Sequence, residues 1–250
     1  MSENAAMHSF GYESRRPLIL VLDTSGSMGR PAGRPRIGQL RDSVANLVAF
    51  LRSNPALRAQ VDVAVLTFGS MVREHTGLAA GRTLHEAFAP VSAIELPEFA
   101  AEGRSAMLPA LRRALELGRE YRSVLDGHGI TCLTPLIWLL TDGAPTDADG
   151  ALQDARSCQP TADLLSAAER RGDCLVFAVG VAGADEELLG LLTSQAVLMV
   201  DRLDYPGVLY AITASTRERA ANITAAQVKR KVLDEDEKAR RLNLLDGEAL

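Results

Sequence analysis

Leu18-Ile19-Leu20-Val21-Leu22 is an unbroken run of branched aliphatic side chains that stops at a carboxylate, Asp23. Successive side chains of a strand point to opposite faces, so an apolar run without alternation must be buried on both. Such a strand belongs inside a sheet that is covered by helices on its two sides. The same signature returns in Leu136-Ile137-Trp138-Leu139-Leu140, which runs through Thr141 into Asp142-Gly143. Open α/β sheets place ligand sites at the carboxyl ends of their strands. Asp23 and Asp142 therefore share one sheet edge if the two strands are neighbours.

The remaining pattern alternates strands and helices. Strands are predicted at Pro17–Asp23, Val61–Phe68, Met71–Thr76, Leu136–Thr141, Cys174–Val181 and Ala196–Val200. Ile37, Leu40, Val44, Leu47, Val48 and Leu51 recur at three- and four-residue steps and make one apolar helical stripe. Leu108, Leu111, Leu115 and Tyr121 predict a second helix, with Pro109 tolerated in its first turn. Thr161–Arg171, Asp185–Leu192 and Tyr205–Thr216 predict three more. Only Gly69-Ser70 separates Val61–Phe68 from Met71–Thr76, which demands a hairpin. The expected fold is α/β: a Rossmann-like, doubly wound, mostly parallel six-stranded sheet with one antiparallel edge strand and helices on both faces.

A chain of 250 residues suffices for one large α/β domain with appendages. We read residues 1–15 as an N-terminal tail, 16–216 as the domain and 217–250 as a charged C-terminal helix or tail. Blocks such as Lys229-Arg230-Lys231 and Asp234-Glu235-Asp236-Glu237 mark that last segment as solvated. Its alternative is a partner-docking helix that uses Val228, Val232, Leu242 and Leu245. The net charge of −5 does not favour nucleic acid as a partner. No apolar run approaches the roughly 20 residues of a membrane span, so no membrane role is expected. Residues 1–16 lack the apolar core of a secretory signal. Cys132, Cys158 and Cys174 form no zinc or redox spacing, and the expected setting is a reduced cytoplasm.

Chemistry concentrates where the first strand ends. Asp23, Ser25 and Ser27 offer one carboxylate and two hydroxyls in a turn made tight by Gly26. Hard oxygen donors of this kind suit Mg²⁺, which prefers octahedral oxygen coordination and keeps some of its water. Three donors leave such an ion underliganded. Asp142 adds a carboxylate from the neighbouring strand end, and Ser105 adds a hydroxyl just before the helix that starts near Leu108. His8, His75, His85 and His128 are scattered and read as structural or solvated. Trp138, inside an apolar strand, reads as core packing. The loop Gly29–Arg36 carries Arg30, Arg34 and Arg36 without an acidic neighbour. It reads as a solvated loop, or as a basic rim that steers an acidic partner. Asp147, Asp149 and Asp154 lack the Gly and Glu of an EF-hand.

Enzyme signatures are missing. There is no G-x-x-x-x-G-K-[ST] loop for nucleotide hydrolysis and no G-x-S-x-G nucleophile elbow. Ser25 stands where the aspartyl-phosphate pattern would have a second acid.

Asp23-Thr24-Ser25-Gly26-Ser27, followed by Ser105 and then Thr141-Asp142-Gly143, resembles the metal-ion-dependent adhesion site of von Willebrand factor A domains. The order and spacing of all three elements agree, over roughly residues 16–216. The runs Leu139–Asp147 and Val65–Phe68 look most like bacterial TerY-type tellurium-resistance members. The resemblance implies that Ser25, Ser27 and Ser105 touch a Mg²⁺ (or Mn²⁺) ion directly or through water. Asp23 and Asp142 would act mainly through waters and hydrogen bonds to the serines. A partner protein's Asp or Glu would fill the open position, so the implied task is binding and the chain is not expected to be an enzyme. TerY-like proteins imply a cytoplasmic adaptor in a stress-response, tellurium-resistance or phage-defence assembly, with a kinase, phosphatase or AAA+ ATPase as partner. Ser105 departs from the family's usual Thr: the hydroxyl is kept and the stiffening methyl is lost. Two other readings stand beside this one: a metal-dependent hydrolase using Asp23 and Asp142, and a metal-free scaffold working through its tail.

Overall fold

β1 (Ser14–Asp23) lies between two parallel neighbours, β2 (Val61–Phe68) and β6 (Leu136–Thr141). The structure is a computed structural model that describes residues 14–200 except 34, 182 and 196. The predicted helix Tyr205–Thr216, most of the N-terminal tail and the charged C-terminal segment lie outside the described residues. β6 continues in parallel to β7 (Leu175–Val181) and then β8 (Val197–Val200). On the other side β2 turns back into the antiparallel edge strand β3 (Val72–His75), as the two-residue Gly69-Ser70 spacing requires. The order is β3-β2-β1-β6-β7-β8, so the expected mostly parallel α/β sheet is the observed one. Two short strands were not foreseen: β4 (Ala89–Pro90) pairs antiparallel with β2, and β5 (Thr131–Cys132) pairs parallel with β1.

Helices cover both faces. Leu18, Leu20 and Leu22 pack with Leu40, Val44, Leu47 and Leu51 of α1 (Arg36–Ser53). Ile19 and Val21 point the other way, into a cluster with Leu111 and Leu115 of α3 (Met107–Gly127) and Leu165 of α4 (Ala155–Arg171). All five apolar residues of the β1 run are 0% exposed, which is why that run shows no alternation. Trp138 stacks on Phe177 within the core, as its position inside an apolar strand suggests.

Two element starts differ from expectation and one short helix is added, each for an identifiable reason. β1 begins at Ser14, ahead of Pro17, because two arginines enter the sheet with partners. Arg15 pairs with Asp62 at 3.3 Å, and Arg16 donates to the Thr134 carbonyl at 3.1 Å. α4 begins at Ala155, capped by Asp154 Oδ1 accepting from the Ser157 amide, so Pro160 lies inside it. Pro160 falls in the second turn, where it lacks the amide that would bond back to the preceding turn, and the helix expected over Thr161–Arg171 starts six residues earlier than expected. A short helix, α2 (Pro55–Gln60), follows α1 directly, with the Asn54 side chain accepting from the Ala56 and Leu57 amides. The last helix among the described residues, α5 (Glu186–Leu191), matches its predicted place and leads to β8.

The connection from β1 moves to β2 on one side, and that from β6 moves to β7 on the other. Adjacent strands whose connections diverge leave a crevice at their carboxyl ends, the usual ligand position of such sheets. Leu22 is in register with Leu140, so Asp23 and Thr141 reach that crevice at the same level.

Candidate metal centre

The end of β1 is tied down by its own backbone. Asp23 Oδ1 accepts from the Ser25 amide at 2.8 Å, which bends the chain back over the strand end. Asp23 Oδ2 accepts from Thr141 Oγ1 at 2.5 Å, across to β6. Both oxygens are thus occupied, and the side chain is fully buried. Burial pushes the Asp23 carboxyl up to about 6, although the bonds from Ser25 and Thr141 pull the other way and Asp142 adds to the rise.

Beyond the bend runs a chain of hydroxyls. Ser25 Oγ and Ser27 Oγ lie 2.9 Å apart, and Ser27 Oγ donates to Asp142 Oδ1 at 2.7 Å. Ser27 belongs to a single 3₁₀ turn, Gly26–Gly29, and is exposed, while Ser25 is buried. The other Asp142 oxygen accepts from Arg36 Nη1 at 2.7 Å, although the Asp142 side chain is 0% exposed. Of the two readings of the Gly29–Arg36 loop, solvated or basic rim, the solvated one does not hold for Arg36, which is bound to Asp142.

Ser105 arrives on a loop held by close backbone approaches. The Gly26 amide donates to the Gly103 carbonyl at 3.0 Å, and the Glu102 amide to the Thr24 carbonyl at 2.8 Å. The Ala106 amide donates to the Gly69 carbonyl at 2.9 Å. A β-carbon on Gly69 would stand 2.5 Å from the Glu102 carbonyl oxygen, so the hairpin glycine also serves this packing. Gly103 has φ of 75° and would place a β-carbon 2.3 Å from Ser70 Oγ. On its far side Ser105 exchanges two bonds with Thr146. Its amide donates to Thr146 Oγ1, and the Thr146 amide donates to its carbonyl, both at 2.9 Å.

Ser105 Oγ is buried and has no hydrogen-bond partner among the described residues. An unsatisfied buried hydroxyl costs about 1–3 kcal/mol, and native structures rarely keep one without a reason. Hydrogen bonds link Asp23, Ser25, Ser27 and Asp142, and backbone bonds hold the Ser105 loop to the Thr24–Gly26 turn; taken together these residues would offer three hydroxyls and two carboxylates. Such a set fits a hard divalent ion that retains water, and the unpartnered Oγ is the atom such an ion would satisfy. Among the described residues no group of three or more His, Cys, Asp and Glu side chains is placed to hold a metal, so the set depends on its serines. Asp147 Oδ1 accepts from the Asp149 and Ala151 amides and closes a turn. His75, His85 and His128 make local bonds to Thr67, Ala87 and Val124.

Three participants carry no role from sequence, Thr141, Thr146 and Gly103, and a fourth, Arg36, reads there only as a solvated loop residue or part of a basic rim. Thr141 had one usable signal, a hydroxyl at the last position of an otherwise apolar strand. The others act across long sequence separations. Beside the site a cleft of about 310 Å³ is lined by Thr24, Gly69, Met71, His75, Phe99 and Gly103.

Comparison with known structures returns the same architecture at low identity. The SpaC pilus adhesin of Lactobacillus rhamnosus GG superposes with a TM-score of 0.57 at 18% identity, covering 83% of this chain and 31% of its own. Proximal thread matrix protein 1 of the mussel byssus, in a structure described as having a zinc-occupied MIDAS motif, gives 0.54 at 19%, covering 81% and 46%. The vWF domain of the Porphyromonas gingivalis type V pilus tip protein Mfa5 gives 0.55 at 11%, covering 84% and 98%. The chain spans less than half of the SpaC and thread-matrix structures. A comparison with curated protein sequences finds no match. The family model of the von Willebrand factor type A domain matches residues 18–204, three quarters of the sequence. With the sheet order and switch point described above, that match makes this chain a member of the von Willebrand factor type A domain family.

Proposed function

We propose that the chain is a non-catalytic protein-interaction module that binds a partner's Asp or Glu through a divalent ion, Mg²⁺ or Mn²⁺. The observation that carries this reading is the buried Ser105 Oγ without a partner among the described residues, on a loop that backbone bonds hold to the turn carrying the Ser25 and Ser27 hydroxyls. In this reading Ser25, Ser27 and Ser105 hold the ion directly or through water. Asp23 and Asp142 orient those hydroxyls and the waters. A bound ion would supply an electrophilic position for an incoming carboxylate.

Asp23 is committed at both oxygens to Ser25 and Thr141, and Asp142 at both to Ser27 and Arg36. These bonds fix the orientation of both carboxylates, and each oxygen keeps a second lone pair with which to hold a water. The cleft beside Thr24 and Gly103 offers room for side chains that flank the captured acid. Similarity of the Leu139–Asp147 and Val65–Phe68 runs to TerY-type proteins supports a cytoplasmic adaptor in a bacterial stress-response, tellurium-resistance or phage-defence assembly. The partner would then be a kinase, phosphatase or AAA+ ATPase. No helix among the described residues is long and apolar enough to cross a membrane.

Calorimetric titration with Mg²⁺, Mn²⁺ and Zn²⁺ tests the first half of this proposal. Wild type should give saturable heat and Asp23→Ala none. Absent wild-type heat, or equal heat in the variant, refutes metal binding. Partner capture should then be lost in EDTA and restored by Mg²⁺.

A further inference from the structure

Arg36 is the first residue of α1, an 18-residue helix. A cation there sits at the positive end of the helix dipole, and the first turn carries no acidic residue to offset it. Helix stability therefore does not account for its placement. Its guanidinium reaches Asp142 Oδ2 at 2.7 Å, and the two groups differ sharply in exposure: 26% for the arginine side chain and 0% for the carboxylate. The base of the side chain is fixed as well, because the Arg36 amide donates to the Arg30 carbonyl at 3.2 Å and closes the preceding loop.

Asp142 is also the carboxylate that orders Ser27, through its other oxygen. A cation on Oδ2 lowers the negative potential that the serine side of the same carboxylate presents. We propose that Arg36 is a built-in competitor for the divalent ion: it neutralises Asp142 in the metal-free protein and weakens metal affinity. This rests on the reading of the site as a metal centre. Two like-signed cations near one buried carboxylate repel, so metal binding and the Arg36–Asp142 pair oppose each other by linkage. Metal entry loosens the guanidinium, and the N-terminal loop of α1 reports it.

The experiment is calorimetric titration of full-length wild type, Arg36→Met and Arg36→Lys with Mg²⁺ and with Mn²⁺, alongside thermal melts in EDTA. Arg36→Met should bind about tenfold tighter or more, which is ~1.4 kcal/mol. Arg36→Lys keeps the charge and should stay near wild type. In EDTA, Arg36→Met should melt below wild type, because Asp142 is left buried without its cation. Saturating Mg²⁺ should raise its melting point by more than it raises that of wild type. Equal or weaker affinity in Arg36→Met, with wild type binding normally, overturns the competition and leaves the metal centre standing. No heat from any of the proteins overturns both. Arg36→Gln gives the same comparison if the Met variant does not fold.

Discussion

Replacing Ser105 by Ala should move two properties in opposite directions. The hydroxyl is buried without a partner among the described residues of the metal-free protein, so its removal relieves a desolvation penalty of about 1–3 kcal/mol. The bonds that place the loop are made by backbone atoms, to Thr146, and survive the change. Ser105 also precedes α3 without capping it, since that helix begins at Met107 with no side-chain cap. No stabilising contact of the side chain is lost. At about 2–4 °C per kcal/mol for a chain of this size, the lower end of that range raises the metal-free melting point by about 2–4 °C.

Metal affinity should fall in the same variant. The ion loses a neutral oxygen donor from a set that holds few charged ligands, and about tenfold or more is expected, ~1.4 kcal/mol. Scanning calorimetry in EDTA reads the first quantity and Mg²⁺ titration the second. A lowered metal-free melting point would mean that the hydroxyl is already satisfied, and the argument from an unpartnered donor fails. A raised melting point with unchanged Mg²⁺ affinity would separate Ser105 from any metal. Ser105→Thr should restore binding, because it keeps the oxygen.

Thr141→Val removes the donor that holds Asp23 Oδ2 and should destabilise by about 1–3 kcal/mol in urea at neutral pH. Gly103→Ala forces a β-carbon into Ser70 at a positive φ, and should lower both stability and Mg²⁺ affinity, read by melting and titration. Tyr121→Phe removes the bond at 2.8 Å to Asp62, a buried carboxyl that burial pushes above the usual range while Arg15 and Tyr121 hold it back. Because Asp62 is raised in the folded state, its contribution to stability is greatest below the unfolded carboxylate range and is lost as pH rises through the folded value. The variant raises that value further, so its deficit in urea should be larger at pH 7.5 than at pH 4; equal deficits would refute the assignment.

The sheet was legible because central strands cannot hide. Leu18–Leu22 and Leu136–Leu140 admit no solvent-facing side, and the carboxylate that ends each run marks the crevice. Ser25 and Ser27 followed from their distance to Asp23. What sequence could not supply were contacts made by folding itself. Arg36 meets Asp142 across 106 positions, and Ser105 meets Thr146 across 41. Local pattern left Arg36 as solvated or part of a basic rim because no acid lies near it in the loop. Likewise the helix expected from Thr161 begins at Ala155, because Asp154 caps it one turn and more before Pro160. The short strands β4 and β5 hold two residues each, too few for any periodicity to register.

A charge count over the site explains why a carboxylate is the ligand to expect. Asp23 and Asp142 carry two negative charges when ionised, and Arg36 supplies one positive charge against them. The metal-free site is therefore short of one positive charge, which burial makes expensive and which the raised Asp23 carboxyl reflects. A divalent ion would overshoot by one for as long as the Arg36 guanidinium stays at the site. The surplus could be relieved by losing a proton from bound water or by accepting an external anion. The first route leaves a hydroxide on the ion and a proton to place in a crevice whose carboxylates already bond Ser25, Thr141, Ser27 and Arg36. The second needs only an Asp or Glu from outside, at a crevice whose exposed hydroxyl, Ser27, already faces that side. A neutral peptide should therefore bind the loaded protein far more weakly than the same peptide with one acidic side chain. Equal affinities in a competition assay at saturating Mg²⁺ would refute the count.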